Sequence, residues 1–353
     1  FTHMQMQKMN TSKDTKKSEK QDQLKSSLTS SKGAIFFAYN NEQIDYIKLA
    51  CLSAASVKKH LNLPCTIITD FGSLNHFEGS DDSSFIKNIM QESSWAITFD
   101  TSKKIPNVVN PNGILTKLFN NIIVHEKNES TPNVRNYYDT PYANYKAQFN
   151  NLNKHEVFEL SPYDQTILFD VDFLVNNAIL NLAFDVNSPI QLYRNAQTLK
   201  NIEPDHNLDK RLNDVGIPLH WSTIIYFDKS PMSKMFFDMW AHVKENYDYY
   251  QSLYKFPEGL YRTDFAVSIS MHLLKNFVEY TDDLFAELPG SPMKYMAYKD
   301  DIASVDKNGI VFFANNYKEE WNNILTYSEG ENLHMMNKRA VDRHYDKLME
   351  LYV

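Results

Sequence analysis

Two aspartates, Asp170 and Asp172, close the apolar run Thr166-Ile167-Leu168-Phe169 within the stretch SPYDQTILFDVDFLVNN, residues 161–177. A buried strand excludes charge unless the charge has a task. In extended backbone, residues i and i+2 point to the same side, so both carboxylates can face one ligand. Paired hard oxygens suit Mg²⁺ or Mn²⁺, which keeps several waters and completes its shell with phosphate oxygens. Ligands of open α/β sheets gather beyond the carboxyl ends of strands, where this pair falls. The D-x-D triplet is the only one in the chain. On its own it also fits a solvated loop after a strand.

The elements around the pair read as an α/β protein. GAIFFAYN, 33–40, and CTIITD, 65–70, are continuous apolar runs of the kind buried parallel strands show. Between them Ile44, Ile47, Leu49, Leu52, Ala55 and Val57 recur close to helical spacing, and Pro64 follows. Strand, helix and strand in so short a span make a βαβ unit with a right-handed crossover. The expected fold is therefore α/β, with a Rossmann-like mixed, mostly parallel sheet flanked by helices. SWAITFD ending at Asp100, SPIQLYR and HWSTIIYFDKS supply later strands, while GILTKLFNNIIVHE fits strand or helix. YANYKAQFNNLNKH, Tyr142 to His155, reads as a helix leading into the Asp170 strand. Ser230 with Pro231 behind it starts one long helix to about Tyr254. RTDFAVSISMHLLKNF is another helix, and Asp264 near its start suits a helix cap or first-turn acid as well as a catalytic group.

Composition narrows the function. The 353 residues carry a net charge of -8, against a body that holds nucleic acid by charge alone. Only nine glycines occur, with no Gly-rich loop of the kind that cradles phosphate. Cys51 and Cys65 fit reduced core thiols rather than a disulfide framework. No apolar run is long enough to span a membrane and no signal pattern opens the chain, so a cytoplasmic location is expected. FTHM at the start has the look of an expression scar, and the Lys- and Ser-rich stretch to residue 31 reads as a disordered leader. The remaining 32–353 are expected to form one domain. DHNLDKRLND, 205–214, holds His206 and Asp209 three apart and reads as a charged loop that can close over a ligand.

Taken in order, four pieces resemble the metal-dependent glycosyltransferases of the GT-A fold, most closely the family 8 type that includes glycogenin and bacterial galactosyl- and glucosyltransferases. FFAYN is similar to the opening strand that cradles the nucleotide base, with Ala38, Tyr39 and Asn40 at the matching positions, although Tyr39 also suits core packing. YANYKAQF ahead of the D-x-D strand is similar to the family's helix bearing Arg or Lys, with Lys146 as that cation. HWSTIIYFDKS stands where the family writes Asn-Ser-Gly, here replaced by Trp221, Ser222 and Thr223. LHMMNK resembles the late His-x-x-Gly-x-Lys segment, with His334 as third metal ligand, Asn337 near the Gly and Lys338 meeting the diphosphate.

The resemblance implies Mn²⁺ or Mg²⁺ held by Asp170, Asp172 and His334, and a nucleotide-sugar donor, UDP-linked, on Ala38, Tyr39, Asn40, Lys146, Asp170 and Lys338. Asp264 and Lys146 would act in catalysis. Residues 32–180 would bind the nucleotide, 181–330 the acceptor, and 331–353 the metal and phosphate. The acceptor stays open between a saccharide, a protein and a hydroxymethylated DNA base. Two other classes stay open too: a nucleotidyltransferase, which normally carries a Gly-rich basic signature that AYNNEQIDYIK lacks, and a non-catalytic interaction protein with a similar sheet.

Overall fold

In a computed structural model, which describes residues 31–79, 95–126, 133–200, 216–256, 259–275, 285–315, 323–328 and 330–353, the opening βαβ unit forms as the spacing predicts. Strands are numbered in chain order. β1 (Lys32–Phe37) and β2 (Cys65–Thr69) pair in parallel across the helix Tyr46–Leu61. Asp45 starts that helix by accepting from Lys48 N–H at 3.0 Å. Asn62, in the left-handed region at φ 54°, ends it before Pro64 is reached. Residues 1–30 of the expected leader and the 205–214 loop lie outside the described residues.

Eight strands make the main sheet: β1, β2, β3 (Ala96–Asp100), β4 (Asn121–His125), β7 (Gln165–Phe169), β9 (Ile190–Tyr193), β11 (Trp221–Asp228) and β12 (Phe285–Glu287). Their order is β12-β9-β11-β7-β1-β2-β4-β3. β1 runs parallel to β2 and β7, β2 to β4, and β12 to β9; β11 is antiparallel to β7 and β9, and β3 to β4. The mixed, mostly parallel α/β sheet is thus present. Phe36, Ile67, Ile167 and Phe169 face one core, against the helix Tyr46–Leu61. Ile35, Phe37, Ile68 and Leu168 face the other, against the helices Pro231–Glu245 and Thr263–Leu274. Burial on both faces explains why these strands are continuous apolar runs.

Smaller sheets flank this one. β5 (Val134–Tyr138) and β6 (Asn144–Gln148) form a hairpin. β10 (Ala196–Thr198), β13 (Met293–Met296), β17 (Leu333–Met335) and β8 (Phe173–Leu174) form a second group, and β14 (Asp301–Asp306), β15 (Gly309–Asn315) and β16 (Asn323–Ser328) a third. Both cysteines are buried free thiols, and burial pushes Cys65 up to about 12. No helix among the described residues is long and apolar enough to cross a membrane.

Two expected helices differ. The Tyr142–His155 segment is the β6 arm of the hairpin followed by a 3-10 turn at Lys154–Glu156. Tyr137 and Tyr145 sit directly opposite each other and stack with ring centroids 5.5 Å apart, a cross-strand pair that outweighs the helix propensity of Lys146 and Ala147. The long helix from Ser230 breaks at Asn246, whose backbone (φ −111°, ψ 33°) leaves helical geometry while its side-chain amide donates to His242 O at 2.9 Å. A second helix, Tyr247–Tyr254, then tucks Tyr247 and Tyr250 into the core.

His220, just ahead of β11, is buried, and burial, reinforced by Arg194 and Lys275, lowers it to about 3. The unfolded chain takes up this proton near pH 6.5 and the folded chain only near pH 3, so acidification favours unfolding throughout that window. Urea unfolding should therefore lose up to about 1.4 kcal/mol of stability per pH unit from this residue below about pH 6.5. His220→Gln should flatten that slope; an unchanged slope would show that His220 is not its source.

Candidate metal centre

β7 delivers Asp170 and Asp172 to the carboxyl edge of the sheet. Asp170 N–H donates to Thr223 O at 2.8 Å, extending the β7–β11 ladder by one residue, and Phe173 N–H turns back onto Asp170 O at 3.1 Å. β8 then runs antiparallel to β17, placing Phe173 opposite His334, while Met335 N–H donates to Asp172 O at 2.7 Å. A strand of only three residues from the far end of the chain thereby brings His334 to the two aspartates. One ligand atom from each of Asp170, Asp172 and His334 lies within 4.8 Å of the others, the one group of its kind among the described residues.

β11 shapes the opposite wall. Trp221 pairs with Tyr193 but Ile225 with Leu192, so residues 222–224 bulge away from β9. Thr223 Oγ1 lies 3.4 Å from His334 Nδ1, which leaves Nε2, 3.5 Å from Asp172 Oδ1, facing the carboxylates. Ser222 donates through both its N–H and its hydroxyl to Asp264 Oδ1, at 2.8 and 2.7 Å.

Each carboxylate has a lysine of its own. Lys154, only 3% exposed, ion-pairs with Asp170 and lies 3.5 Å from Ser222 O. Lys338 Nζ donates to Asp172 Oδ2 at 2.5 Å. Burial by itself raises an aspartate, but the Lys338 ammonium and His334 hold Asp172 well below the carboxylate range. Lys338 is raised in return: burial opposes its charge, and Asp172 outweighs that. Asp170 goes the other way, pushed up by burial, with Lys154 opposing and Asp172 adding to the rise. Two carboxylate oxygens and an imidazole nitrogen on one spot fit a divalent cation such as Mn²⁺ or Mg²⁺. Two aspartates and two lysines sum to zero, so a bound cation would leave two positive charges for an anionic ligand to balance.

The structure gathers Asp170, Asp172, His334 and Lys338, with Asp264 one shared serine away in the first turn of the helix Thr263–Leu274. Others lie apart. Ala38 is buried and its carbonyl accepts from Thr69 Oγ1. The Tyr39 ring is 2% exposed and its hydroxyl bonds His125 Nδ1 at 2.9 Å, so the ring packs in the core. Asn40 accepts from Ile47 N–H at 3.1 Å through Oδ1, while its buried Nδ2 has no hydrogen-bond partner. Lys146 is exposed on β6, opposite Asn136, rather than on a helix before the D-x-D strand.

The lysine that reaches Asp170 is Lys154, which sequence reasoning missed. Its signal was present: Tyr145, Ala147 and Phe149 alternate, so a strand period there moves the helical turn on to Lys154. Ser222 and Thr223, expected as substitutes for a family trio, hold Asp264 and sit beside His334.

No protein-family model and no curated protein sequence matches the chain. Among solved structures it is similar to the glycosyltransferase GlyE of Streptococcus pneumoniae TIGR4, at 10% identity over 73% of this chain with a TM-score of 0.34. The match covers 45% of GlyE, less than half its length. It is also similar to mouse xyloside xylosyltransferase 1 in its apo form, at 12% identity, covering 86% of this chain and 97% of that one, TM-score 0.39. The galactosyltransferase LgtC, in complex with donor and acceptor sugar analogues, gives 10% identity, coverages of 91% and 96%, and a TM-score of 0.40.

Proposed function

We propose that the protein is a metal-dependent glycosyltransferase of the GT-A type, near family 8, which moves a sugar from a UDP-linked donor to an acceptor hydroxyl. The observation that carries this reading is the convergence of Asp170, Asp172 and His334 on one spot at the carboxyl edge of the sheet, with Lys338 and Lys154 beside them. Residues 32–180 form the nucleotide side, 181–330 the acceptor side, and 331–353 return to the metal and phosphate.

Breaking the bond between the anomeric carbon and the diphosphate puts negative charge on the leaving oxygen. A bound divalent cation supplies the Lewis acid that stabilises this charge. Lys338 adds a cation aimed at the same phosphates, an interaction that strengthens as the charge develops. Lys154 takes the place that the family resemblance gave to Lys146, keeping Asp170 oriented towards the donor. Ser222 fixes Asp264 through Oδ1, and Oδ2, which lies 3.9 Å from Arg262 Nη2, would meet a hydroxyl of the sugar or acceptor. The unpartnered Nδ2 of Asn40 offers a donor to the nucleoside. The acceptor is a saccharide, a protein or a hydroxymethylated DNA base.

The test is incubation with a panel of UDP-sugars and GDP-sugars, with and without Mn²⁺, reading release of free nucleoside diphosphate. Mn²⁺-dependent release of UDP from one donor is expected. A folded protein that releases neither nucleotide from any donor under any metal condition would make the sheet a binding scaffold instead.

A further inference from the structure

We propose that Lys338 is an exchangeable occupant of the metal centre, holding Asp172 until a diphosphate draws its ammonium away and so coupling cation binding to diphosphate binding. The inference rests on the glycosyltransferase reading of the site and adds the order in which its ligands assemble.

Both oxygens of Asp172 are engaged in this state: Oδ2 accepts from Lys338 Nζ at 2.5 Å, and Oδ1 faces His334 Nε2 at 3.5 Å. The pair is shielded, with side-chain exposures of 12% for Lys338 and 4% for Asp172. A divalent cation on Asp172 would meet this ammonium at close range, where poorly screened like charges repel strongly. Cation and ammonium therefore compete for one carboxylate, and the first needs the second to move.

The two lysines differ in their freedom to do so. Lys154 is buried between Asp170 and the Ser222 carbonyl. Lys338 is the first residue of the helix Lys338–Arg343, and its backbone is pinned by Asn337, which caps Ala340 N–H and donates to Asp139 O and Asp300 O. Its stem can swing while the helix stays. The Tyr137 ring, with its centroid 5.9 Å from Nζ, gives the ammonium an apolar wall along which to turn. The phosphates of a donor bound at the metal offer it a new counter-charge, and Asp172 is then open to the cation. Coupling of this kind is reciprocal: diphosphate raises cation affinity by the factor by which cation raises diphosphate affinity.

Calorimetric titration of Mn²⁺ into the intact protein, with and without saturating UDP, measures the coupling once the Mn²⁺–UDP complex formed in free solution is subtracted. In the wild type UDP should tighten Mn²⁺ on the order of 5- to 150-fold. Lys338→Met keeps the stem and removes the charge; it should bind Mn²⁺ alone about tenfold more tightly than the wild type, and the further tightening by UDP should be smaller than in the wild type. Equal Mn²⁺ affinity with and without UDP in the wild type overturns the proposal whether or not the variant folds. So does a folded Lys338→Met protein with wild-type Mn²⁺ affinity and undiminished coupling. Binding of neither Mn²⁺ nor UDP to the wild type removes the glycosyltransferase reading as well, whereas independent binding of both removes the exchange alone.

Discussion

Asp172→Asn is expected to lower sugar transfer on the order of a thousandfold, the scale on which loss of a pre-organised electrostatic group acts in a water-poor site. The same change should lower stability. Asp172 is nearly buried and its partner Lys338 is shielded, so the variant leaves an ammonium facing a neutral amide. Breaking one side of a buried pair costs about 3–5 kcal/mol, and the partial exposure of Lys338 places this case at the lower end. Urea unfolding in the presence of a chelator measures the second effect apart from the first. An Asp172→Asn protein with wild-type turnover and a wild-type urea midpoint would show that the carboxylate has neither role.

The second large effect separates two lysines. Lys154→Met should destabilise the fold by about 3 kcal/mol, because it removes the ion pair that offsets the burial of Asp170 and the charge of Asp172 beside it. Transfer should fall with it, and Lys154→Arg should recover stability better than activity, since the charge returns without the shape. Lys146→Met, on the exposed face of β6, should stay within about 0.5 kcal/mol of the wild type and keep its activity. Denaturant midpoints and initial rates on the three variants decide the matter. Loss of activity in the Lys146 variant with none in the Lys154 variant would reverse the assignment.

The contrast between these lysines shows what was legible in the chain. β1, β2 and β7 were readable because a strand buried on both faces must be apolar throughout, and the aspartates stand out against that background. The Ser230 start of its helix follows local chemistry that few neighbours can override. The β5–β6 hairpin was not readable in this way. Lys146, Ala147 and Gln148 favour helix locally, and the deciding contact, Tyr137 against Tyr145, depends on two segments meeting.

Tyr39 illustrates a parity effect. It continues the alternation of Ile35 and Phe37 and so enters the same core, the alternative that stood beside the base contact implied by the family resemblance. The place of His334 beside the two aspartates was legible only through resemblance. β17 has three residues, too few for a period, and His334 reaches the site by pairing with a two-residue strand beside Asp172. The bulge at residues 222–224 is invisible to any pattern within β11, since a bulge is a mismatch with a partner strand.

The most direct measurement of the central claim is crystallography of the protein grown with Mn²⁺ and UDP, with data collected at the manganese absorption edge. One anomalous peak is expected within coordinating distance of Asp172 and His334, with diphosphate oxygens on its open side and Lys338 Nζ moved from Asp172 onto a phosphate. A peak elsewhere on the molecule, or UDP bound away from Asp170 and Asp172, would contradict it.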